Sequence, residues 1–256
     1  LLEDETLETL RQTELLTRTT ILPSLDDNIR CGNSLIGPEY FSDQLVPDHA
    51  EFKRVNPFDW KQSFSKVLEV GGFDCVIGNP PYIGFHGFMG EKEYLKDHYA
   101  SASGKFDLYL PFIERAVAML RAGGLLGYIC PTNFMKRDHG HALRSILRQR
   151  VSILEITDFE DVQVFRDALN YTGIFVLQNS APTPEASIAY RTRSLTSEPF
   201  VARQADLSDD PWVFRDQGAT SIVKKIMASP CTPLGNITRA ISEGIVTGKN
   251  DVFLMA

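Results

Sequence analysis

The segment that most restricts how this chain can fold is Phe73–Tyr82, FDCVIGNPPY. Phe73 to Ile77 is an apolar, β-branched run suited to a buried parallel strand. Two prolines follow, and neither has an N–H to donate, so the ladder must stop there. A residue that precedes proline is held extended. Asn79 is therefore presented stiffly at the carboxyl end of a strand, the place where open α/β sheets bind ligands. The side-chain carbonyl of Asn79 and the backbone carbonyl of Pro80 are free acceptors that can take the two hydrogens of one amino group. Pro81 completes the turn, and Tyr82 offers a flat face to the ring bearing that group. Acceptors without donors suit a planar amide or an aromatic amine, not a carboxylate or a phosphate. The plainer reading of these four residues is a proline-rich turn that only ends a strand.

The rest of the chain alternates helical and strand patterns. Leu7, Leu10, Leu15 and Leu16 share a helical face within residues 3–20. Ile29 to Leu35 reads as a short strand, and Trp60 to Val70 as a helix stopped by Gly71-Gly72. Residues 83–104, rich in glycine and aromatics, read as a mobile loop with a helical turn at Glu91–His98. Lys105–Arg121 reads as an amphipathic helix closed by Ala122-Gly123-Gly124. Leu125–Cys130, Ile153–Asp158, Thr172–Gln178 and Ala186–Arg193 read as strands. His139–Arg150 and Gly218–Ser229 read as helices, and Ala202–Pro211 as irregular chain. This alternation predicts an α/β fold with a largely parallel sheet. No internal repeat is visible.

Composition sets outer bounds. With 43% hydrophobic and 23% charged residues, the chain is an ordinary globular one. No apolar run approaches the ~20 residues that span a bilayer, and the acidic, amphipathic start is not a signal peptide. A cytoplasmic location is expected. The four cysteines include no CxxC pair. Cys31, Cys75 and Cys130 lie in apolar runs and are expected as reduced core thiols, and no metal site is expected. His139 and His141 flank Gly140, too close for ligation from successive helical turns. A net charge of −7 argues mildly against a nucleic-acid partner. Against it stands a local basic cluster, Lys136, Arg137, Arg144, Arg148 and Arg150, which reads either as a solvated helix face or as a contact to backbone phosphate.

Taken together, these segments resemble the amino-methyltransferases that use S-adenosylmethionine, specifically the adenine-N6 DNA methyltransferases of type IIG restriction–modification enzymes. The likeness covers residues 25–180 and 235–254. NIRCGNSLIG resembles the family segment that touches the cofactor's adenine, which implicates Asn33 and Ser34. The family more often has Asp at position 33. KFDLYLPFIERAVAMLRAGGLLGYICP resembles the following helix and strand. The match implies that Phe112 packs on the cofactor adenine and that Asp107 and Tyr109 lie near the cofactor end. From spacing alone, Phe112 is a core aromatic. VFRDALNYTGIFVL resembles the segment that supplies a second aromatic wall to the target-base pocket, with Phe165 in that role and Tyr171 as the runner-up. ISEGIVTGKNDVF, with Gly244, Thr247, Gly248 and Asn250, resembles the start of a target-recognition domain.

The resemblance implies an incomplete Rossmann-like sheet with flanking helices. Residues 1–180 would be the catalytic part, 181–234 a connecting segment, and 235–256 the start of target recognition. The family's glycine-rich cofactor loop is not found in the chain. With no initiator Met and no terminal stop signal, the chain reads as a piece of a longer polypeptide. Alone, it is expected to be inactive and to bind S-adenosylmethionine poorly. The implied partners are double-stranded DNA and the remainder of the parent polypeptide, including a nuclease if one is present. Two other readings remain open. One is a glutamine or RNA N-methyltransferase. The other is a non-catalytic DNA-binding or scaffold module of a restriction or phage-defence complex.

Overall fold

The structure is a computed structural model that describes residues 28–88, 90–165, 171–214, 217–230, 232 and 234–238. The chain divides into two compact units, Leu1–Val213 and Phe214–Ala256. The expected helix at 3–20 and the residues Gly244, Thr247, Gly248, Asn250 and Cys231 lie outside the described residues.

The first unit is built on one six-stranded sheet. Its strands are β1 (Phe73–Gly78), β2 (Leu120–Pro131), β3 (Ser152–Asp158), β4 (Thr172–Gln178), β5 (Ser187–Thr192) and β6 (Phe200–Arg203). They lie side by side in the order β1-β2-β4-β3-β5-β6. β1 runs parallel to β2, and β3 parallel to β5. β4 is antiparallel to both β2 and β3, and β6 is antiparallel to β5. The expected largely parallel sheet is thus a mixed one. Parallel neighbours need a long crossover, usually through a helix. No described helix separates β3 from β4 or β5 from β6, so in both places the chain folds back. β5 and β6 also continue the sheet beyond residue 180, and the unit closes only at Val213, inside the expected connecting segment.

Among the described residues, six α-helices accompany the sheet: α1 (His49–Val55), α2 (Trp60–Ser63), α3 (Ser65–Glu69), α4 (Lys92–His98), α5 (Tyr109–Met119) and α6 (His141–Arg150). Asp48 caps α1 by accepting the Glu51 N–H, and Asp59 caps α2 by accepting the Gln62 N–H. The helix expected over 60–70 is broken at Phe64 (φ −132°, ψ 39°). Its ring turns instead toward Phe58, Trp60 and Phe73. α5 buries Leu110, Ile113, Ala116 and Val117, the i, i+3, i+4 stripe of an amphipathic helix. It stops at Met119, short of the expected Arg121, because Leu120 pairs with Phe73 and opens β2. The Ala122-Gly123-Gly124 triplet then bulges out, and the register resumes at Cys75 opposite Leu125. A Cβ on Gly124 would sit 2.9 Å from the Phe73 carbonyl oxygen, so only glycine allows that approach.

The core lies along β2, β3 and β4 and the helices packed on them: Leu126, Cys130, Phe134, Leu143, Leu147, Ile153, Ile156 and Phe175 are buried. β1 differs from expectation. It is the outermost strand, no described strand pairs with its free edge, and Ile77 is 83% exposed. Cys75 on the same strand and Cys31 upstream are exposed too, so of the three expected core thiols only Cys130 is one. The expected strand at 29–35 is reduced to a single bridge between Asn33 and Pro57, since no described strand lies beside it.

The second unit contains α7 (Gln217–Ala228) and the short α8 (Leu234–Ile237). No helix among the described residues is long and apolar enough to cross a membrane.

Candidate active site

β1, β2 and β3 all point their carboxyl ends to one edge of the sheet, and β4 starts there. Asn79 leaves β1 at this edge. It is exposed, while Pro80 behind it is buried. Gly78 sets the path, because a Cβ there would lie 2.8 Å from the Tyr128 ring of β2. The strand stops at the prolines and leaves Asn79 exposed at this edge.

Tyr82 is half-buried and meets Phe165 edge to face, with ring centroids 6.1 Å apart and planes at 76°. Residues 83 sequence positions apart in the chain are thus placed together. Tyr171, the runner-up for this wall, is 55% exposed. Burial pushes the Tyr82 phenol up to about 12, with the Cys130 thiol adding to the rise and the Thr172 side chain opposing it. The ring is therefore neutral at physiological pH and presents a face, not a base.

Among the described residues, one cavity borders this turn and another lies along β1. One, of about 200 Å³, is lined by Asn33, Pro81, Glu91, Leu95, Phe112 and their neighbours. The other, of about 420 Å³, is lined by Ser34, Trp60, Ile77, Phe112, Arg115, Tyr128 and others. Phe112 is half-buried and borders both, so it is not a fully enclosed core residue. Asn33 is held by an Asx turn in which its Oδ1 accepts the Leu35 N–H at 3.2 Å. Asp could make the same bond, which explains physically how either residue fits this position. The Ser34 carbonyl accepts the Trp60 indole N–H at 3.0 Å. Flat, apolar walls with a few amide and backbone groups suit an adenine ring.

The segment after the turn is strapped down, not loose. Leu108 N–H donates to the Ile83 carbonyl at 2.8 Å. Tyr94 on α4 donates to Glu39 at 2.5 Å and accepts the Gly37 N–H at 3.0 Å, and Tyr99 donates to the Leu35 carbonyl at 2.8 Å. Asp107 lies 3.6 Å from His139 Nε2 and close to Gly84, two residues beyond Tyr82. Tyr109, by contrast, is 1% exposed in the core beside Phe134 and lines neither cavity. The hydrophobic stripe of α5 carries it inward.

The basic cluster divides. Arg144 is 1% exposed. Its guanidinium donates to the carbonyls of Phe134, Arg137 and Asp209 at 2.5, 2.7 and 3.0 Å. Burial lowers its pKa, and the nearby Asp138, Asp210 and Asp209 oppose that. It is a structural clamp, so the expectation that it meets phosphate is withdrawn. Arg148 pairs with Asp209 at 3.0 Å. Lys136 and Arg137 are exposed beside the carboxyl edge of the sheet, with Lys136 Nζ 3.8 Å from Asp158. No set of three His, Cys, Asp or Glu side chains among the described residues is placed to hold a metal.

Sequence reasoning missed Asp158, Tyr128 and Glu91. Tyr128 and Glu91 carry no motif. Asp158 did carry a signal, an acidic residue ending an apolar strand at the edge where sites form.

A profile of the Eco57I restriction-modification methylase family matches residues 6–165. The chain belongs to that family. Among the curated relatives of this Eco57I-family chain is the type II restriction enzyme and methyltransferase RM.Eco57I of Escherichia coli. It is 33% identical over 267 aligned positions, which cover 99% of this chain and 25% of the relative. The type II methyltransferase M.PaeR7I of Pseudomonas aeruginosa is 27% identical, over 72% of this chain and 35% of its own length. The chain thus spans only 25% and 35% of the lengths of these two relatives. Among solved structures, the type IIL restriction–modification enzyme MmeI in complex with DNA is 15% identical with a TM-score of 0.42, over 57% of this chain and 20% of that one.

Proposed function

We propose that this chain is the catalytic part of a DNA adenine-N6 methyltransferase of a restriction–modification system, acting with S-adenosylmethionine. The observation that carries this is the exposed Asn79 at the carboxyl edge of β1, beside the Tyr82–Phe165 ring pair and the cavity shared by Pro81, Asn33 and Phe112. Membership of the Eco57I family and the likeness to type II methyltransferases support the same reading.

The target amine lies inside a base stack, so the nucleotide must be flipped out to reach Asn79. Tyr82 and Phe165 would then receive the base between them. In their present edge-to-face arrangement there is no room for it, since each face needs about 3.5 Å of separation from the base plane. One ring must turn as the base enters. Stacking offsets part of the unstacking cost, at roughly 1–3 kcal/mol per contact. Asn79 Oδ1 and the Pro80 carbonyl accept the two amine hydrogens. This draws the nitrogen toward tetrahedral geometry and localises its lone pair. Asn33, Ser34 and Phe112 would hold the cofactor's adenine. When bound, S-adenosylmethionine supplies an already activated methyl group. The chain's own part is placement and electrostatics. Lys136 and Arg137 stand at the same edge for backbone phosphate.

The test is methylation of DNA by the intact parent enzyme, followed by nucleoside analysis, with Asn79→Ala alongside. N6-methyladenine is expected from the wild type, and none from Asn79→Ala, whose cofactor affinity stays near that of the wild type. N4-methylcytosine as the product, no methylated base at all, or equal loss of cofactor binding in the variant would overturn the reading.

A further inference from the structure

We propose that Asp158 is a positioning residue for the second aromatic wall. It holds residues 159–165 in the turn that brings Phe165 against Tyr82. The proposal rests on reading those two rings as the walls of the base pocket.

Asp158 ends β3 with its side chain 1% exposed. A carboxylate is buried at high cost unless its oxygens are satisfied. Here Oδ1 accepts the Glu160 N–H at 2.9 Å and Oδ2 accepts the Tyr190 hydroxyl at 3.1 Å, while Lys136 Nζ stands 3.8 Å away. These partners come from the turn itself, from β5 and from the segment after β2. One buried group thereby references the turn to two fixed elements.

The turn needs such an anchor. Glu160 adopts φ +53°, a left-handed conformation that a non-glycine residue holds only when its surroundings impose it. Arg193, itself at φ +64°, donates its N–H to the Asp158 carbonyl at 2.8 Å. Its guanidinium reaches Glu160 at 2.8 Å and Asp161 at 3.2 Å. Phe159 donates to the Thr172 carbonyl at 3.0 Å, and Val162 to the Phe159 carbonyl at 2.9 Å. The Thr172 side chain also lies near Tyr82. The Asp158 side chain is closed off from solvent and acts only through the segment it holds.

The experiment uses the intact parent enzyme with Asp158→Ala, Asp158→Asn and Tyr190→Phe. Three quantities are read: amide exchange across 159–165, the fluorescence of 2-aminopurine at the target position, and S-adenosylmethionine affinity. In Asp158→Ala, exchange protection at Glu160 and the flipped-base signal are expected to fall by about tenfold, the effect of one lost bond to a buried charged group. Cofactor affinity is expected to hold. Asp158→Asn keeps an oxygen for the Glu160 N–H and should recover most of both signals. Unchanged protection in a folded Asp158→Ala overturns the proposal, as does loss of cofactor affinity together with no recovery in Asp158→Asn. Should Asp158→Ala not fold, Tyr190→Phe decides, since it removes the hydroxyl that ties the Asp158 carboxylate to β5 and leaves Asp158 in place. Weakened protection across 159–165 there supports the proposal and unchanged protection overturns it. Exchange is read without DNA. Protection lost as expected, with no flipped-base signal even in the wild type, overturns the pocket reading and leaves the hold of Asp158 on its segment supported.

Discussion

An arginine on a helix next to a candidate cleft can serve phosphate or backbone, and burial decides between them. Arg144 gives its donors to three backbone carbonyls. Arg144→Met should therefore lower stability by about 2–3 kcal/mol, because those carbonyls lose a charged donor. A fall in melting temperature, with the salt dependence of DNA binding by the parent enzyme unchanged, is the expected result. A smaller salt slope without destabilisation would return Arg144 to the phosphate role. Tyr82 presents the opposite case, a side chain needed for its face. Tyr82→Ala is expected to cost about 10–100-fold in methylation through lost stacking, whereas Tyr82→Phe keeps the ring and most of the rate. Because the phenol ionises only near 12, wild type and Tyr82→Phe should also share one pH–rate profile up to pH 10. A new alkaline limb in one of them alone would show that the hydroxyl takes part.

At the scale of elements, α4 is the instructive one. It is a two-turn helix, too short to be stable by itself. It persists because Tyr94 bonds both Glu39 and Gly37, and because Leu95 is buried against the cavity that Asn33 and Phe112 share. His98 stacks on the Tyr94 ring, with centroids 3.9 Å apart. Tyr94→Phe removes both hydroxyl bonds and keeps the ring. It should speed amide exchange across 92–98 and cost about 1–2 kcal/mol, the usual net worth of two such bonds. Exchange faster at α4 but unchanged in β2 and β3 would localise the effect, and no change would show that Leu95 alone holds the helix. The same long-range bonds explain why 83–104 reads as a loose loop in sequence. Glycine and charge are visible along the chain, but the Glu39 and Leu35 oxygens that tether the loop lie far upstream.

For the molecule as a whole, the buried phenols and thiol set an alkaline limit. Tyr82 and Tyr99 are each raised by burial from 10.0 to about 12, and Tyr109, Tyr190 and Cys130 are raised by burial as well. The unfolded chain sheds these protons first, so stability should be level below about pH 9 and decline as pH rises from 10 toward 12. A urea midpoint that falls between pH 10 and 11.5 would show it, and a midpoint flat over that range would contradict it. What the sequence determined by itself is local: the stop after β1, the apolar stripe of α5, and the strands whose runs are β-branched or apolar throughout. Each follows from dihedral limits or periodicity within a few residues. Only the tertiary structure decided that β4 inserts antiparallel between β2 and β3, that β1 lies outermost with Cys75 exposed, that Arg144 turns inward while Phe112 faces two cavities, and that Phe165 comes to Tyr82. Those outcomes depend on which distant groups compete for the same edge, face or carbonyl, and that competition exists only once the chain is packed.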